Sequence, residues 1–488
     1  RLLPIKSYYH LVGSNLSSCS NQTGSSSIAA GSFSTTEPIT SGGSSSSAIS
    51  PPLPGILAFK LRYDTVFTRP GSSGSTASSS TVSSNPVTCI YLMSRVAVMM
   101  EMSSEEVPAC VTTARFLNGL LATEELGLSQ PSTRSLASNV FALWMCSPLL
   151  EIQLKPHQCP WRIWASWQKL LQRYAHGSES RLARDQPVLR LQRNVFFPKH
   201  LEEGIKDTRI QELLYEEARH NVVTGRYPLE SAQAVMLGGL QARIQLGPYD
   251  PHRHTAKFFR EHQDKYLPQH ARSGRWAQLL PAGRKGSPEA KLLEQAQRPP
   301  AAPPRKLRHK YLAHTRTLPT YGAAFFQGQI EQPLRSLTSL LTHEDIPVLV
   351  AINANGVYVI DDTESTVLLG LLYEELSWDI GLPSSDSDDC LPCLFLQFMV
   401  VENGLRVSKI LQVMKRTKYQ GSVLLLIALG AFGEIFCVAP DSPQRRLANK
   451  LSRLALATHD GRGNLLGGAG DWNTDLNHPQ QSWILPKH

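Results

Sequence analysis

The apolar period of this 488-residue chain changes twice, and that succession limits the folds open to it. From residue 87 onward, hydrophobic side chains come in short runs of strand length around one helical stretch. From Asp207 they recur at helical spacing, and after Leu318 and Pro319 short strand-like runs return. A long helical block set between two strand-rich stretches reads as separate packed bodies in succession along the chain.

Composition bears on what lies outside those bodies. Residues 1–86 are rich in Ser, Gly and Thr, with Pro51, Pro52 and Pro54. Such a segment buries too little apolar area to offset its ordering entropy, and it reads as a disordered tail. One strand-like island, Ile56 to Phe67, interrupts it. The overall figures, 41% hydrophobic and 18% charged, are lowered by this tail alone. A net charge of +9 favours anionic surfaces without marking a dedicated nucleic-acid binder. The densest basic run, Arg305 to Lys310, reads as a solvated helix face. The eight cysteines (Cys19, Cys89, Cys110, Cys146, Cys159, Cys390, Cys393 and Cys437) are irregularly spaced and fit reduced thiols better than a disulfide framework. The longest apolar stretch, Ser422 to Ala439, contains Gly430, Gly433 and Glu434 and falls short of the roughly 20 apolar residues of a spanning helix.

The first body has the order strand, strand, helix, strand, strand. Its strands are the runs around Val87 to Leu92, Val96 to Met102, Asn139 to Met145 and Leu149 to Leu154, and its helix carries Val111, Ala114, Leu117 and Leu121 on one face. That is the order of a small ubiquitin-like roll, assigned to 87–176. The second, 185–317, is helical. Thr208 with Gln211 looks like a capping box, with Ile210, Leu213, Leu214, Ala218 and Val222 on one face behind it. Gly225 ends that helix and Pro228 opens the next, which is expected to bury Ala232, Val235, Met236, Gly239, Leu240 and Ile244. Gly238 and Gly239 inside it weaken the helix by about 1 kcal/mol each relative to Ala, which calls for a partner helix packed very close. Further helical stretches are Ala256 to Leu267 and Gly274 to Leu280. The third body, 318–430, has seven strand-like runs with a hairpin signal at Asn355 and Gly356, and reads as a small β-sandwich capped by a helix beginning near Lys415. Residues 431–488 read as an irregular tail.

An α+β chain of roll, helical bundle and capped sandwich, in that order, resembles a FERM module. The resemblance is carried by "NVFALWMCSPLLEIQLKP" in the first body, "LLYEEARHNVVTGRYP" and "LGGLQARIQLGPYDP" in the second, and "LPTYGAAFFQGQ", "INANGVYVID" and "EELSWDI" in the third. It spans 87–420. "NVFFPKHLEEGIKD" narrows it to the Bili-like branch, whose members bind iRhom cytoplasmic tails. The resemblance implies a FERM cloverleaf: a ubiquitin-like roll, an acyl-CoA-binding-protein-like bundle and a PH/PTB-like capped sandwich. It also implies a departure, because after Gln420 the family continues a charged amphipathic helix. Here "GSVLLLIALGAFGEIFC" follows, as an alternative exon or an unspliced segment would read.

The residues carry no catalytic signature. Phosphate-loop, nucleophile-elbow and zinc-protease motifs are absent, and "GRGNLLGG" misses the dinucleotide fingerprint by one position. Cys390 and Cys393 lack a second ligand pair, His252 and His254 read as turn and surface histidines, and Asp386, Asp388 and Asp389 lack the Gly and distal Glu of a calcium loop. Ser384, Ser385 and Ser387 beside them are candidates for acid-directed phosphorylation. The expected class is a non-enzymatic adaptor or scaffold without a cofactor. By the resemblance it is cytoplasmic and peripheral at the inner face of the plasma membrane or endosomes. The fifth strand of a PTB-like sandwich accepts an extended peptide beside the capping helix. That places the groove at Glu374, Glu375, Leu376, Ser377, Trp378, Asp379 and Lys415, with an acidic tint suited to a basic tail. Lys155, Lys199, Lys409, Arg416 and Lys418 are candidates to face anionic phospholipid. The expected partners are membrane-protein tails: iRhom first, a Wnt co-receptor as the alternative, and a general membrane–cytoskeleton linkage as the third reading.

Overall fold

The computed structural model describes residues 87–101, 107–175, 177–274, 282–298, 302–332, 345–381, 393–414, 449–460 and 464–467. Apart from Val87, Thr88 and Glu101, these belong to one compact unit. Among the expectations above, the Ile56 to Phe67 island, most of the Gly274 to Leu280 stretch, Ser384 to Cys390 and the capping helix from Lys415 lie outside the described residues.

The first lobe is a mixed five-stranded sheet in the order β2-β1-β5-β3-β4. Its strands are β1 (Val87–Tyr91), β2 (Ala97–Glu101), β3 (Phe141–Cys146), β4 (Glu151–Gln153) and β5 (Val188–Arg193). All six residues of β3 are buried, as expected of a continuous apolar run in an inner strand. Helix α1 (Thr113–Ala122), capped by Thr112, sends Phe116, Leu120 and Leu121 inward, and α2 (Pro131–Val140) follows it. The sequence reading closed this lobe at 176. The strand that closes the sheet is β5, beyond the short helices α3 (Pro160–Ala165), α4 (Trp167–Tyr174) and α5 (Glu179–Arg184). It runs parallel to β1 and antiparallel to β3, so without it those two strands would not be joined.

The helical lobe comprises α6 (Lys199–Glu203), α7 (Thr208–Val223), α8 (Ser231–Leu246), α9 (Ala256–Glu261), α10 (Gln263–Tyr266), α11 (Pro288–Gln297) and α12 (Pro304–Arg316). Asp207, not Thr208, caps α7: its carboxylate accepts the Ile210 N–H at 2.9 Å. The next helix starts three residues after Pro228, at Ser231, behind a capping box formed by Glu230 and Gln233. The α8 helix is buried on nearly all sides. Ala234, Leu237, Gly238, Gln241, Ala242 and Arg243 join Val235, Gly239 and Leu240 in the interior, whereas Ala232 is exposed and Met236 and Ile244 are half-buried. It is the central post of the lobe, and a post surrounded by neighbours needs no polar face. The close partner demanded by the glycine pair is α11. A Cβ at Gly239 would stand 2.5 Å from the Gln295 Cβ, and one at Gly238 would stand 2.8 Å from the Tyr266 carbonyl oxygen.

The third lobe contains the seven expected strands: β6 (Ala324–Ile330), β7 (Ile346–Asn353), β8 (Gly356–Asp361), β9 (Thr366–Leu372), β10 (Leu376–Gly381), β11 (Cys393–Glu402) and β12 (Leu405–Met414). They are ordered β10-β11-β12-β6-β7-β8-β9. Their inward residues, among them Val350, Val359, Leu369, Leu396 and Leu411, form one core. Part of the region read as an irregular tail belongs to this lobe. Strand β13 (Leu456–His459) pairs with β12, and β14 (Leu465–Gly467) pairs with β13. Just before β13, the Lys450 N–H donates to the Leu368 carbonyl and the Asn449 side chain accepts from the Gly370 N–H, both on β9. Leu454 enters the core between these attachments, and Arg453 pairs with Asp361 at 2.7 Å.

Candidate peptide-binding site

The third lobe brings most of the expected groove residues together. Tyr373–Glu375 form a 3-10 turn carrying the chain from β9 into β10. The Leu372 N–H points at a Glu375 carboxylate oxygen, 3.5 Å away, which helps fix the turn. In β10, Leu376 is buried and Trp378 packs against the core, while Ser377 is half-buried and Asp379 is exposed. That alternation follows from the two-residue period of a strand lying over a core. Leu376 and Trp378 are therefore core residues, while Ser377 and Asp379 point away from the core. β10 is the first strand in the sheet order: β11 pairs one side of it, and no strand among the described residues pairs the other. Lys415, the expected helix side of the groove, lies outside the described residues.

A cleft of about 370 Å³ opens at the N-terminal end of β10, lined by Gly370, Leu372, Glu374, Glu375, Val400 and Asn449 among others. Register creates it. Leu376, the first residue of β10, pairs with Phe398, so Met399 to Glu402 of β11 run on without cover from β10. Met399 is 57% exposed there. The sequence reading missed Met399, Val400 and Asn449, since neither the register nor the return of the tail to β9 is written in local pattern.

Of the cations assigned to lipid, Lys409 is placed elsewhere. Lys409 is buried, bonds Thr458 at 3.1 Å and pairs with Glu402 at 2.9 Å, so it points into the β12–β13 contact and not toward a membrane. Lys155 and Lys199 are half-buried, and burial lowers the pKa of each. Arg416 and Lys418 lie outside the described residues.

A polar cluster ties the lobes together. Glu202 of α6 is fully buried and accepts from Arg193 Nε of β5 and Arg316 Nε of α12, each at 2.7 Å, and from the Tyr321 hydroxyl at 2.6 Å. Burial alone would raise the pKa of this carboxyl, but the two guanidinium groups outweigh it and hold the value down. Arg226 pairs with Glu151 of β4 at 2.7 Å and lies over the Phe325 ring of β6, touching the first and third lobes from the second. Glu217 accepts the Arg193 N–H at 2.6 Å, and burial pushes its carboxyl up to about 7. The same cause lowers His220 to about 4. Among the described residues no group of three His, Cys, Asp or Glu could hold a metal ion. Burial raises the Cys146 thiol well above its usual pKa, which leaves it unsuited to nucleophilic work. What the third lobe offers is a strand edge that no other strand pairs among the described residues, beside a partly acidic cleft.

Comparison with known proteins agrees with this architecture. Residues 200–326 match the FERM central domain, and residues 346–419 match the KRIT1/FRMD8 FERM domain C-lobe. The second and third lobes are thus similar to those of FERM-domain proteins. The chain is similar to FERM domain-containing protein 8: it is 40% identical to the human protein over 291 residues, covering 57% of this chain and 61% of that one. The zebrafish (Danio rerio) protein is 36% identical over 310 residues, covering 60% and 65%. The chain thus spans about three-fifths of the length of the curated relatives it matches. The FERM and C-terminal domain complex of Drosophila Merlin aligns with a TM-score of 0.43 at 11% identity, over 72% of this chain and 96% of that one. The C-lobe match stops at residue 419, just before the apolar stretch that follows Gln420. No helix of the described residues is long and apolar enough to cross a membrane.

Proposed function

We propose that this chain is a non-enzymatic adaptor at the cytoplasmic face of membranes, which binds the cytoplasmic tail of iRhom pseudoproteases and so stabilises the iRhom–sheddase complex at the cell surface. The observation that carries the reading is β10, an edge strand inside the segment that matches the KRIT1/FRMD8 C-lobe. An extended tail would add to that edge by main-chain hydrogen bonds. Glu374, Glu375, Ser377 and Asp379 would then face its side chains, and carboxylates there favour a basic tail. The similarity to FERM domain-containing protein 8 supports a scaffold role.

The test is the affinity of the full chain for an iRhom cytoplasmic-tail peptide, beside a Wnt co-receptor tail peptide. Glu375→Lys with Asp379→Lys is assayed in parallel. Micromolar or tighter iRhom binding that the reversal weakens by about tenfold or more supports both the partner and the groove. Binding that ignores the reversal keeps the partner and moves the site. Failure of the folded chain to bind either tail refutes the reading.

A further inference from the structure

Three Asn-Gly pairs stand in the chain: Asn118–Gly119, Asn355–Gly356 and Asn403–Gly404. Such a pair is chemically labile, because glycine has no Cβ to keep the asparagine side chain from folding back on the next backbone nitrogen. Whether it reacts depends on whether that nitrogen can be reached. The fold treats the three pairs differently. Gly119 lies inside α1, where its N–H belongs to the helical ladder. Gly356 is buried, and its N–H donates to Asn353 Oδ1 at 3.3 Å. Asn353 is itself buried and donates to the Pro319 carbonyl at 2.7 Å, so this acceptor is held in place.

Asn403 and Gly404 form the loop between β11 and β12, closed by the pairing of Glu402 with Leu405. Both are exposed, with φ of 52° and 79°, the positive pair that a type I′ turn requires. Among the described residues, nothing beyond the adjoining ones stands within 4 Å of the place a Cβ on Gly404 would take. The strands carry this loop clear of their neighbours. β10 pairs β11 only as far as Phe398, and β13 pairs β12 no nearer the turn than Ser408. Of the three glycine nitrogens, that of Gly404 is the one that water and the asparagine side chain reach without opening the fold.

We propose that Asn403 is a site of spontaneous deamidation that remodels the tip of the β11–β12 hairpin as the protein ages. The Gly404 nitrogen attacks Asn403 Cγ, the bond from Cγ to Nδ2 breaks, and ammonia leaves with the proton shed by the attacking nitrogen. Water then opens the resulting succinimide. Opening at Cγ gives aspartate, and opening at the main-chain carbonyl gives isoaspartate. Either product places a new carboxylate beside Glu402, which pairs with Lys409 at 2.9 Å. Isoaspartate also inserts a methylene into the main chain, and so tight a turn cannot absorb that length and keep the strand register. Met399 to Glu402 then loosen from Leu405 to Ser408, and with them the Met399 and Val400 wall of the cleft at β10. The chemistry needs no bound partner, only water.

The experiment is prolonged incubation of the full chain at neutral pH and body temperature, with peptide mass mapping at each Asn-Gly pair. The folded chain is expected to convert Asn403 at least about tenfold faster than Asn118 or Asn355, which must wait for local opening. In urea, which removes the fold, the three rates should converge. Isoaspartate should be the larger product, since succinimide opening yields it and direct hydrolysis of the amide does not. Hydrogen exchange at Met399 to Glu402 should rise severalfold in the converted chain while β6 to β9 keep their protection. Asn403→Gln, whose longer side chain closes the ring far more slowly, should abolish the conversion and the change in exchange together. Comparable conversion at Asn118 or Asn355 in the folded chain overturns the proposal. So does an unreacted Asn403 when the urea control has converted, aspartate without isoaspartate, or unchanged exchange at the tip after conversion.

Discussion

Replacing Glu202 with alanine should destabilise the chain more than any exposed-charge substitution can. The carboxylate is fully buried and compensates two guanidinium groups whose side chains are only 6% and 5% exposed. Each guanidinium lies 2.7 Å from it, and the Tyr321 hydroxyl takes up a further lone pair. Removing it leaves two cations in a site from which water is excluded. Breaking a buried pair in this way typically destabilises by about 3–5 kcal/mol. Arg193 keeps bonds to the Asn194 and Phe197 carbonyls, so the lower half of that range is the firmer expectation. Because the cluster joins β5, α12 and the entry to the third lobe, the lobes should also lose their mutual fixation, and cleavage near 193–200 should accelerate. The assay is urea unfolding of Glu202→Ala beside Glu294→Ala, whose pair with Arg298 is exposed on both sides and should shift stability by less than about 0.5 kcal/mol. A Glu202→Ala loss below about 1 kcal/mol would refute the argument that this cluster sustains the junction.

Other outcomes follow from the same structure. The Glu217 carboxyl has a folded pKa of about 7, above its ordinary range, so the folded state holds the proton longer and stability falls as pH rises from about 4.5 to about 7. Glu217→Gln should flatten that slope, by about 1–3 kcal/mol across the window once partial solvent access is allowed for; an unchanged pH profile counts against the assignment. Gly239→Ala, normally helpful inside a helix, should destabilise by about 1–3 kcal/mol because its Cβ would meet the Gln295 backbone carbon at 2.8 Å, and a raised melting point would contradict the close α8–α11 contact. Leu454→Ala should destabilise the third lobe by about 2–4 kcal/mol, readable from exchange protection of β9 and β12; unchanged protection would mean that residues 449–459 are dispensable.

Much of the architecture was legible in local pattern. The seven strands of the third lobe lie where apolar runs place them, because a strand over a core must alternate and a hairpin must turn at residues such as Asn355 and Gly356. The close helix partner was legible too, since two glycines in a helix interior imply a compensating approach. Ala232 was misread as interior because periodicity reports one face, and a helix surrounded by α10, α11 and α12 has no single face to report. Lys409 was misread as lipid-facing because its burial depends on β13, which begins at Leu456, far along the chain from the end of β12 at Met414.

By itself, the sequence determined the period of each lobe, their order and the basic character of α12, since these depend on neighbours within a few residues. Tertiary structure alone decided that β5 closes the first sheet, that Glu202 gathers Arg193 and Arg316 from 9 and 114 residues away, and that Asn449 to His459 return to β9 and β12. Those contacts form when separate segments are brought together by burial, and burial is a property of the packed whole that no local window records.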